Sequence, residues 1–189
     1  MDTPCEELKI DPFKILIGHT WYELGLIMKV INDYDCRAFL EIGIHVGGLA
    51  ACMAMYGVID PGFRYLGIEL SEVHTNVNLK NFIASRANSA MMFCDAYTDK
   101  AVTVAKQWLS GCDRPAFIYA DGGNKVDDLR MYSPIARLGD IVAVHDYGTY
   151  ERAEISPGDA FSIMTDPPFA IFTPGLWGGT RIFAWRKTL

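Results

Sequence analysis

The sequence lacks any run of basic residues, and its overall charge is negative. Its 189 residues include 17 lysines and arginines against 23 aspartates and glutamates, a formal net charge of −6. Proteins that bind nucleic acids draw much of their affinity from clustered basic side chains. We therefore expect no nucleic-acid partner.

Cysteine pairs of the Cys-x-x-Cys type are also absent. Five cysteines stand singly along the chain: Cys5, Cys36, Cys52, Cys94 and Cys112. An odd and widely spaced set is typical of free buried thiols rather than of a disulfide framework. It indicates a reducing compartment, and a cytoplasmic location is the simplest expectation.

No apolar run is long enough to cross a bilayer. The longest covers residues 49–55, whereas a transmembrane helix needs roughly 20 apolar residues. The chain begins with Asp2, Glu6 and Glu7 where a signal peptide would have a basic stretch followed by an apolar one. We therefore expect neither a membrane partner nor a signal peptide.

Short apolar runs alternate with longer amphipathic stretches, in a chain of about one domain's length that is 50% hydrophobic. The predicted strands cover residues 38–42, 64–68, 91–94, 116–120 and 141–145. The predicted helices after them cover residues 46–56, 71–85, 99–109, 126–137 and 157–164. This alternation predicts a parallel sheet with helices on both faces.

Both ends of the chain depart from the alternation. Residues 13–31 have the apolar spacing of an amphipathic helix, and two strand-like runs, 169–172 and 180–185, are joined by Pro- and Gly-rich residues 173–179. A connection this short cannot hold a crossover helix, so these two strands are antiparallel. The predicted fold is a single α/β domain with a Rossmann-like, doubly wound sheet of seven strands, mostly parallel with an antiparallel C-terminal hairpin strand. Within it, an N-terminal helical segment covers residues 1–36 and the core covers residues 37–189.

A glycine-rich turn follows the first predicted strand, at the sheet edge where ligands of open α/β folds bind. It reads Glu-Ile-Gly-Ile-His-Val-Gly-Gly over residues 41–48. Gly43 permits a sharp turn, and Gly47 and Gly48 let a ligand lie against the backbone. Glu41 can accept hydrogen bonds from the ammonium group of an amino-acid moiety. A dinucleotide fingerprint would need a glycine where His45 stands, which disfavours a nicotinamide cofactor; a turn without a ligand is the other alternative.

Acidic residues follow the next two strands. Glu69 ends the second strand, 26 residues after Gly43, where a carboxylate can accept hydrogen bonds from ribose hydroxyls. Asp95, followed by Ala96, could accept a hydrogen bond from an exocyclic amine such as that of adenine. The alternatives are a solvated glutamate and an aspartate that only shapes a turn.

Two further aspartates follow the fourth and fifth strands, which we expect to be neighbours. Asp121 precedes Gly122-Gly123-Asn124, and Asp146 follows His145, the histidine that ends a strand at the cleft. Two converging carboxylates suit Mg²⁺ or Ca²⁺. One of them could instead act as a general base with a raised pKa, or the pair could only cap a helix and anchor a loop.

Together these features resemble the class I S-adenosylmethionine-dependent methyltransferases over residues 12–186. The resemblance implies that S-adenosylmethionine is the cofactor and that its methionine part faces the glycine turn, while Glu69 faces the ribose. It also implies that Asp95 faces the adenine and that Ala96 supplies a backbone contact. The residues then expected to bind the cofactor are Glu41, Gly43, Gly47, Gly48, Glu69, Asp95, Ala96 and Asp121.

Asp121-Gly122 followed by His145-Asp146-Tyr147 resembles the macrocin and rhamnosyl type of small-molecule O-methyltransferases. Several of these use a divalent metal at the matching acidic positions, which implies Mg²⁺ or another divalent cation at Asp121 and Asp146. The resemblance implies catalytic roles for Asp121, His145 and Asp146. That subgroup usually has the sequence Asp-Gly-Asp-His where this chain has Asp-Gly-Gly-Asn. Catalysis would then use His145 or Asp146 as the base, or would depend on the acidity of the acceptor itself.

We therefore expect methyl transfer to a hydroxyl of a small molecule such as a sugar. The specificity for the acceptor would come from the N-terminal segment and from the loop at residues 147–157, which contains Tyr147, Tyr150, Glu151 and Arg152. A neighbouring subunit of a homo-oligomer could complete the pocket. One alternative is a non-catalytic S-adenosylmethionine-binding domain, suggested by Gly123 and Asn124. The other is an NAD-dependent oxidoreductase, which the missing second domain for a substrate disfavours.

Overall fold

Nine strands and six α-helices follow one another in the part of the chain that the structure describes. A computed structural model describes residues 8–10, 15–17, 19, 21–149, 153–164, 169–172 and 181–188. Strands β1 to β9 are Leu8–Ile10, Ile15–Ile17, Ala38–Ile42, Arg64–Glu69, Ser89–Phe93, Ala116–Ala120, Ile141–Val144, Phe169–Phe172 and Phe183–Arg186. Helices α1 to α6 are Trp21–Asp33, Gly48–Ile59, Val77–Ala84, Asp99–Ser110, Lys125–Tyr132 and Pro157–Ile163.

The main sheet has the strand order β5-β4-β3-β6-β7-β9-β8. Strands β3 to β7 are parallel, and β9 runs antiparallel to both of its neighbours, β7 and β8. Six strands therefore point one way and β9 points the other, which confirms the mostly parallel, Rossmann-like sheet with its antiparallel hairpin. The connecting residues 173–180 lie outside the described residues. The strand order reverses between β3 and β6, and ligands of open α/β sheets bind at such a point.

Both faces of the central strands are covered. Every residue of β3 and of β6 is buried, as expected for strands between two layers of helices. On one face, the rings of Phe39 and Phe117 stack with their centroids 5.2 Å apart, beneath α1 and α2. On the other face, Leu40 and Ile118 pack in a second core with residues of α4 and α5. The two cores hold the central strands in place, and the candidate site lies at the carboxyl ends of these strands.

The helix predicted at residues 13–31 is wrong over its first part. Ile15–Ile17 pairs antiparallel with Leu8–Ile10 in a separate two-stranded sheet, and α1 begins only at Trp21. Isoleucine is β-branched and fits a strand well, so a short apolar run here satisfies either pattern. Where the structure describes it, the N-terminal segment 1–36 is thus part strand and part helix.

Helix α2 begins two residues later than predicted, and α3 and α5 are shorter than predicted, each for a local reason. Gly47 has φ 92°, so α2 can begin only after it. The side chain of Asn76 accepts a hydrogen bond from the backbone N–H of Asn78 and thereby caps α3. Pro134 follows α5, which ends at Tyr132. Among the described residues, the helices are too short or too polar to span a bilayer.

Candidate active site

Two adjoining cavities open at the carboxyl ends of the central strands. The larger has a volume of about 620 Å³, and the smaller has a volume of about 290 Å³. Among the predicted site residues, the larger is lined by Gly43, Glu69, Asp95, Ala96 and Asp121, and the smaller by Glu41, Gly43, Gly48, Asp121, His145 and Asp146. Gly43 and Asp121 border both cavities. The structure therefore brings together all the predicted site residues, with Gly47 beside them in the same turn.

The turn at the start of α2 needs its glycines. Gly43 has φ +88°, and a Cβ atom there would overlap the backbone carbonyl oxygen of Asp121. At Gly47, with φ +92°, a Cβ atom would collide with the side chain of Leu79. The close approach of Gly43 to Asp121 joins β3 to β6 at the point where the two cavities meet.

Replacing Gly43 by alanine should destabilise the protein by more than about 2 kcal/mol. A left-handed backbone alone costs a non-glycine residue roughly 1–2 kcal/mol, and the overlap with a rigid carbonyl adds to this. Gly25→Ala is the matched control, because Gly25 is exposed on α1 with open space around it, and alanine favours a helix. Urea denaturation measures both variants; equal stabilities would contradict the tight junction.

Glu69 holds the glycine turn through its carboxylate. Its Oε2 accepts hydrogen bonds from the backbone N–H groups of Ile44, at 2.8 Å, and His45, at 2.7 Å. Its Oε1 accepts one from the N–H of Leu70 at 2.8 Å. The carboxylate thus lines the larger cavity with two backbone amides already bound to one of its oxygens. The contact with ribose stays a prediction.

Asp95 shapes the loop beside the same cavity. Its Oδ1 accepts a hydrogen bond from the backbone N–H of Tyr97 at 2.9 Å, the pattern of an Asx turn. Nearby, the fully buried carboxylate of Asp128 accepts bonds from the N–H of Gly122 and the hydroxyl of Tyr97, at 2.8 and 3.0 Å. Burial raises the pKa of Asp128 to about 6, against the opposing effect of these hydrogen bonds. The adenine contact of Asp95 stays a prediction.

Glu41 is a buried acid beneath the glycine turn. Its Oε2 accepts a hydrogen bond from the hydroxyl of Tyr65 at 2.6 Å. Burial raises the pKa of Glu41 well above its usual range, and the bond from Tyr65 offsets only part of this rise. Burial thus favours the neutral form of Glu41, whereas a cationic ligand would favour its ionised form. Its contact with an ammonium group stays a prediction.

Asp121 is the centre of a charged cluster. Its Oδ1 lies 2.9 Å from Nζ of Lys125 and 3.1 Å from Nδ1 of His145. Its Oδ2 lies 3.3 Å from Nε2 of His19, which also lies 2.9 Å from the hydroxyl of Tyr119. Burial by itself would raise the pKa of Asp121, but the bonds with His145 and His19 and the charge of Lys125 hold it well below its usual range. Asp121 is therefore ionised at neutral pH.

His145 lies among three carboxylates. Its Nδ1 is near both Asp121 and Asp146, the latter at 3.4 Å, and its Nε2 lies 3.4 Å from Oε1 of the buried Glu23. Burial alone would lower the pKa of His145, but the hydrogen bonds with these three groups raise it to about 11. In this state His145 is a cation and cannot accept a proton. Its catalytic role stays a prediction.

Asp146 converges with Asp121, as the strand order predicts. Its φ is 52°, and its Oδ1 accepts a hydrogen bond from Nη1 of Arg181 at 2.7 Å. Burial favours a higher pKa, but His145 and Arg181 outweigh it and lower the pKa of Asp146. The groups between the two aspartates include an imidazole nitrogen, so an all-oxygen Mg²⁺ site does not fit this arrangement. A metal role for the Asp121–Asp146 pair stays a prediction.

The sequence patterns did not predict four residues of the charged cluster. These are His19, Glu23, Lys125 and Arg181. Lys125 stands only four residues after Asp121, across the loop that leads from β6 into α5, and this short separation could have indicated the ion pair. No local signal marks the other three, because their partners are distant in sequence. Of the predicted acceptor loop, Tyr150, Glu151 and Arg152 lie outside the described residues.

Comparison with solved structures identifies the fold as that of the class I S-adenosylmethionine-dependent methyltransferases. A candidate methyltransferase from Thermobifida fusca YX superposes with a TM-score of 0.64 at 11% identity, over 89% of this chain and 81% of that one. CmcI with SAH gives 0.63 at 11% identity, over 92% and 79%. A candidate O-methyltransferase from Klebsiella pneumoniae gives 0.56 at 17% identity, over 92% and 84%. Neither the protein-family models nor the curated proteins give a match to this sequence.

Proposed function

We propose that this protein transfers the methyl group of S-adenosylmethionine to a hydroxyl of a small molecule. The observation that carries the proposal is the pair of cavities meeting at Gly43 and Asp121. A donor with its nucleoside in the larger cavity and its sulfonium near Gly43 would direct its methyl group toward the smaller one. The volumes, about 620 and 290 Å³, suit small molecules.

The lining of the smaller cavity favours a hydroxylated acceptor. Its walls carry charged and polar side chains: His19, Asp121, His145, Asp146 and Arg181. A hydroxyl-rich molecule such as a sugar can exchange hydrogen bonds with such groups, whereas an apolar acceptor would leave them unpaired at a cost. The candidate O-methyltransferase from Klebsiella pneumoniae, one of the structural neighbours, is consistent with this chemistry.

The reaction depends mainly on the alignment of the acceptor hydroxyl with the methyl group of the donor. The sulfonium is already a reactive donor, so a hydroxyl held in line with its methyl group gains most of its rate from proximity. Asp121 and Asp146 have lowered pKa values and are therefore weak bases. In the proposed mechanism they accept hydrogen bonds from the acceptor and orient its hydroxyl.

Donor binding is the first test. We expect isothermal titration calorimetry to show binding of S-adenosylmethionine and of its demethylated product, and no binding of NAD. Glu69→Gln should weaken donor binding by about 10-fold or more, because hydrogen bonds to a charged group are worth roughly 1.5–3 kcal/mol. Glu72→Gln is the control, since Glu72 is exposed and pairs with Lys80. Equal donor affinities in the two variants, or binding of NAD alone, would refute the proposed donor site.

A non-catalytic donor-binding domain is the second candidate. It is favoured by the position of Asn124, whose side chain accepts a hydrogen bond from the N–H of Asp127 and caps α5. Gly123 offers no side chain there. Donor binding without turnover on a broad panel of hydroxylated small molecules would select this candidate over the enzyme.

A further inference from the structure

We propose that His19, Asp121 and His145 bind a divalent transition-metal ion, of the class of Zn²⁺, Co²⁺ or Fe²⁺. Two imidazoles and one carboxylate meet at this point from three distant parts of the chain. One ligand atom from each of the three residues lies within 4.8 Å of the other two. This ligand set differs from an Asp121–Asp146 pair, because it contains two nitrogen donors and takes His19 from the N-terminal segment.

The two distances between an imidazole nitrogen and a carboxylate oxygen lie in the range found around one ion. Two ligands at about 2.1 Å from a metal lie about 3.0–3.4 Å from each other in octahedral or tetrahedral geometry. The Nδ1 of His145 is 3.1 Å from one oxygen of Asp121, and the Nε2 of His19 is 3.3 Å from the other. The two imidazole nitrogens lie within 4.8 Å of each other, so an ion placed between the three groups would draw them together.

Glu23 stands where a supporting carboxylate belongs. A histidine that binds a metal through one ring nitrogen almost always donates its other N–H to a carboxylate or carbonyl. The Nε2 of His145 faces Oε1 of Glu23 at 3.4 Å, and Glu23 is only 1% exposed. This contact presents the Nδ1 of His145 toward Asp121.

The charges around the site also call for a cation. The ion pairs of the cluster involve four carboxylates and two basic side chains: Glu23, Asp121, Asp146, Glu154, Lys125 and Arg181. Among the described residues, these pairs leave two negative charges, which the cationic His145 reduces to one in the ligand-free protein. A divalent ion balances them with both imidazoles neutral, the form in which histidine binds metals.

The nitrogen donors select the class of ion. Imidazole suits zinc, copper, iron and nickel, whereas Mg²⁺ and Ca²⁺ prefer oxygen ligands. The site borders the smaller cavity, and an ion bound there would lower the pKa of a coordinated hydroxyl. That role rests on the proposed function; the binding of the ion does not.

Cobalt binding tests the site on the full chain after treatment with a chelator. We expect one Co²⁺ per chain, with visible absorption bands that Zn²⁺ removes and a large excess of Mg²⁺ leaves in place. His19→Ala should weaken Co²⁺ binding by at least about 10-fold, and Glu23→Gln by about 10–100-fold. His74→Ala, which removes an exposed histidine, should change nothing.

The outcomes separate the two proposals. Absence of Co²⁺ binding, or affinity unchanged in both His19→Ala and Glu23→Gln, would overturn the metal site, and so would displacement of Co²⁺ by Mg²⁺. Circular dichroism establishes that each variant is folded, and Glu23→Gln keeps the shape of the side chain if His19→Ala fails to fold. Titration of S-adenosylmethionine without metal is measured in parallel. If S-adenosylmethionine does not bind while Co²⁺ still does, the proposed function is refuted and the metal site is supported.

Discussion

Replacing Asp121 by alanine should lower the free energy of unfolding by about 3–5 kcal/mol, the usual cost of removing one partner from a buried ion pair. The side chain of Lys125 is 4% exposed and would lose its nearest carboxylate. Its other ion pair is with Glu154, whose side chain is 51% exposed and screened by water. The variant would therefore leave a buried ammonium group poorly compensated.

The same variant should lose methyl transfer by at least about 100-fold in kcat/KM, the lower end of the effect of a catalytic proton-handling or positioning group. Unfolding is followed in urea with a chelator present, and activity is compared at equal concentrations of folded protein. Asp113→Ala provides the control, because Asp113 is an exposed aspartate on the turn before β6. A loss of stability as small as that of the control would show that Lys125 does not depend on this carboxylate.

Asp140→Ala should cost about 3 kcal/mol of stability and leave donor affinity unchanged. Asp140 is 1% exposed and accepts hydrogen bonds from the backbone N–H groups of Ala116 and Arg137, at 2.8 and 2.7 Å. It also pairs with the guanidinium of Arg137 at 3.0 Å. The loss lies at the lower end of the range for broken buried pairs, because Arg137 keeps contact with solvent. Asp140 precedes β7, at the edge of the sheet opposite the cavities.

Urea denaturation and calorimetry with S-adenosylmethionine measure the two effects separately. Asp33→Ala is the control, since Asp33 forms an exposed pair with Lys29 one turn away on α1 and such pairs contribute less than about 1 kcal/mol. A weakened donor affinity in folded Asp140→Ala protein would show that the two edges of the sheet are coupled.

The buried strands could be predicted from sequence almost residue by residue. Ala38–Ile42 and Ala116–Ala120 have their predicted bounds, because a fully buried strand leaves an uninterrupted apolar run. Helix α4 differs from its prediction by one residue, since Thr98 caps one end and Gly111 follows the other. At Ile15–Ile17, by contrast, three apolar residues fit a helix face and a strand equally well.

The candidate site also contains residues that the sequence predicts and residues that it does not. Gly43 follows β3 and Glu69 ends β4, and these two strands are adjacent in sequence and in space. The spacing of the two residues therefore indicated that they belong to one site. His19 and Glu23 contact residues 100 or more positions away, and such contacts leave no trace in a local pattern. Burial and ion pairing also decide the pKa of an acidic side chain. The sequence does not distinguish Glu41, whose pKa is raised, from Asp121, whose pKa is lowered.

The two cavities differ in how far along the chain their walls are gathered. Beside the larger cavity, the bonds from Ile44 and His45 to Glu69 span 25 and 24 residues. Beside the smaller cavity, Glu23 contacts His145 across 122 residues and Arg181 across 158. Contacts of long sequence separation close late in folding because of the entropy of their loops. The larger cavity can therefore assemble from one strand–helix–strand unit, while the smaller cavity is complete only once Glu23 and Arg181 have both docked against His145.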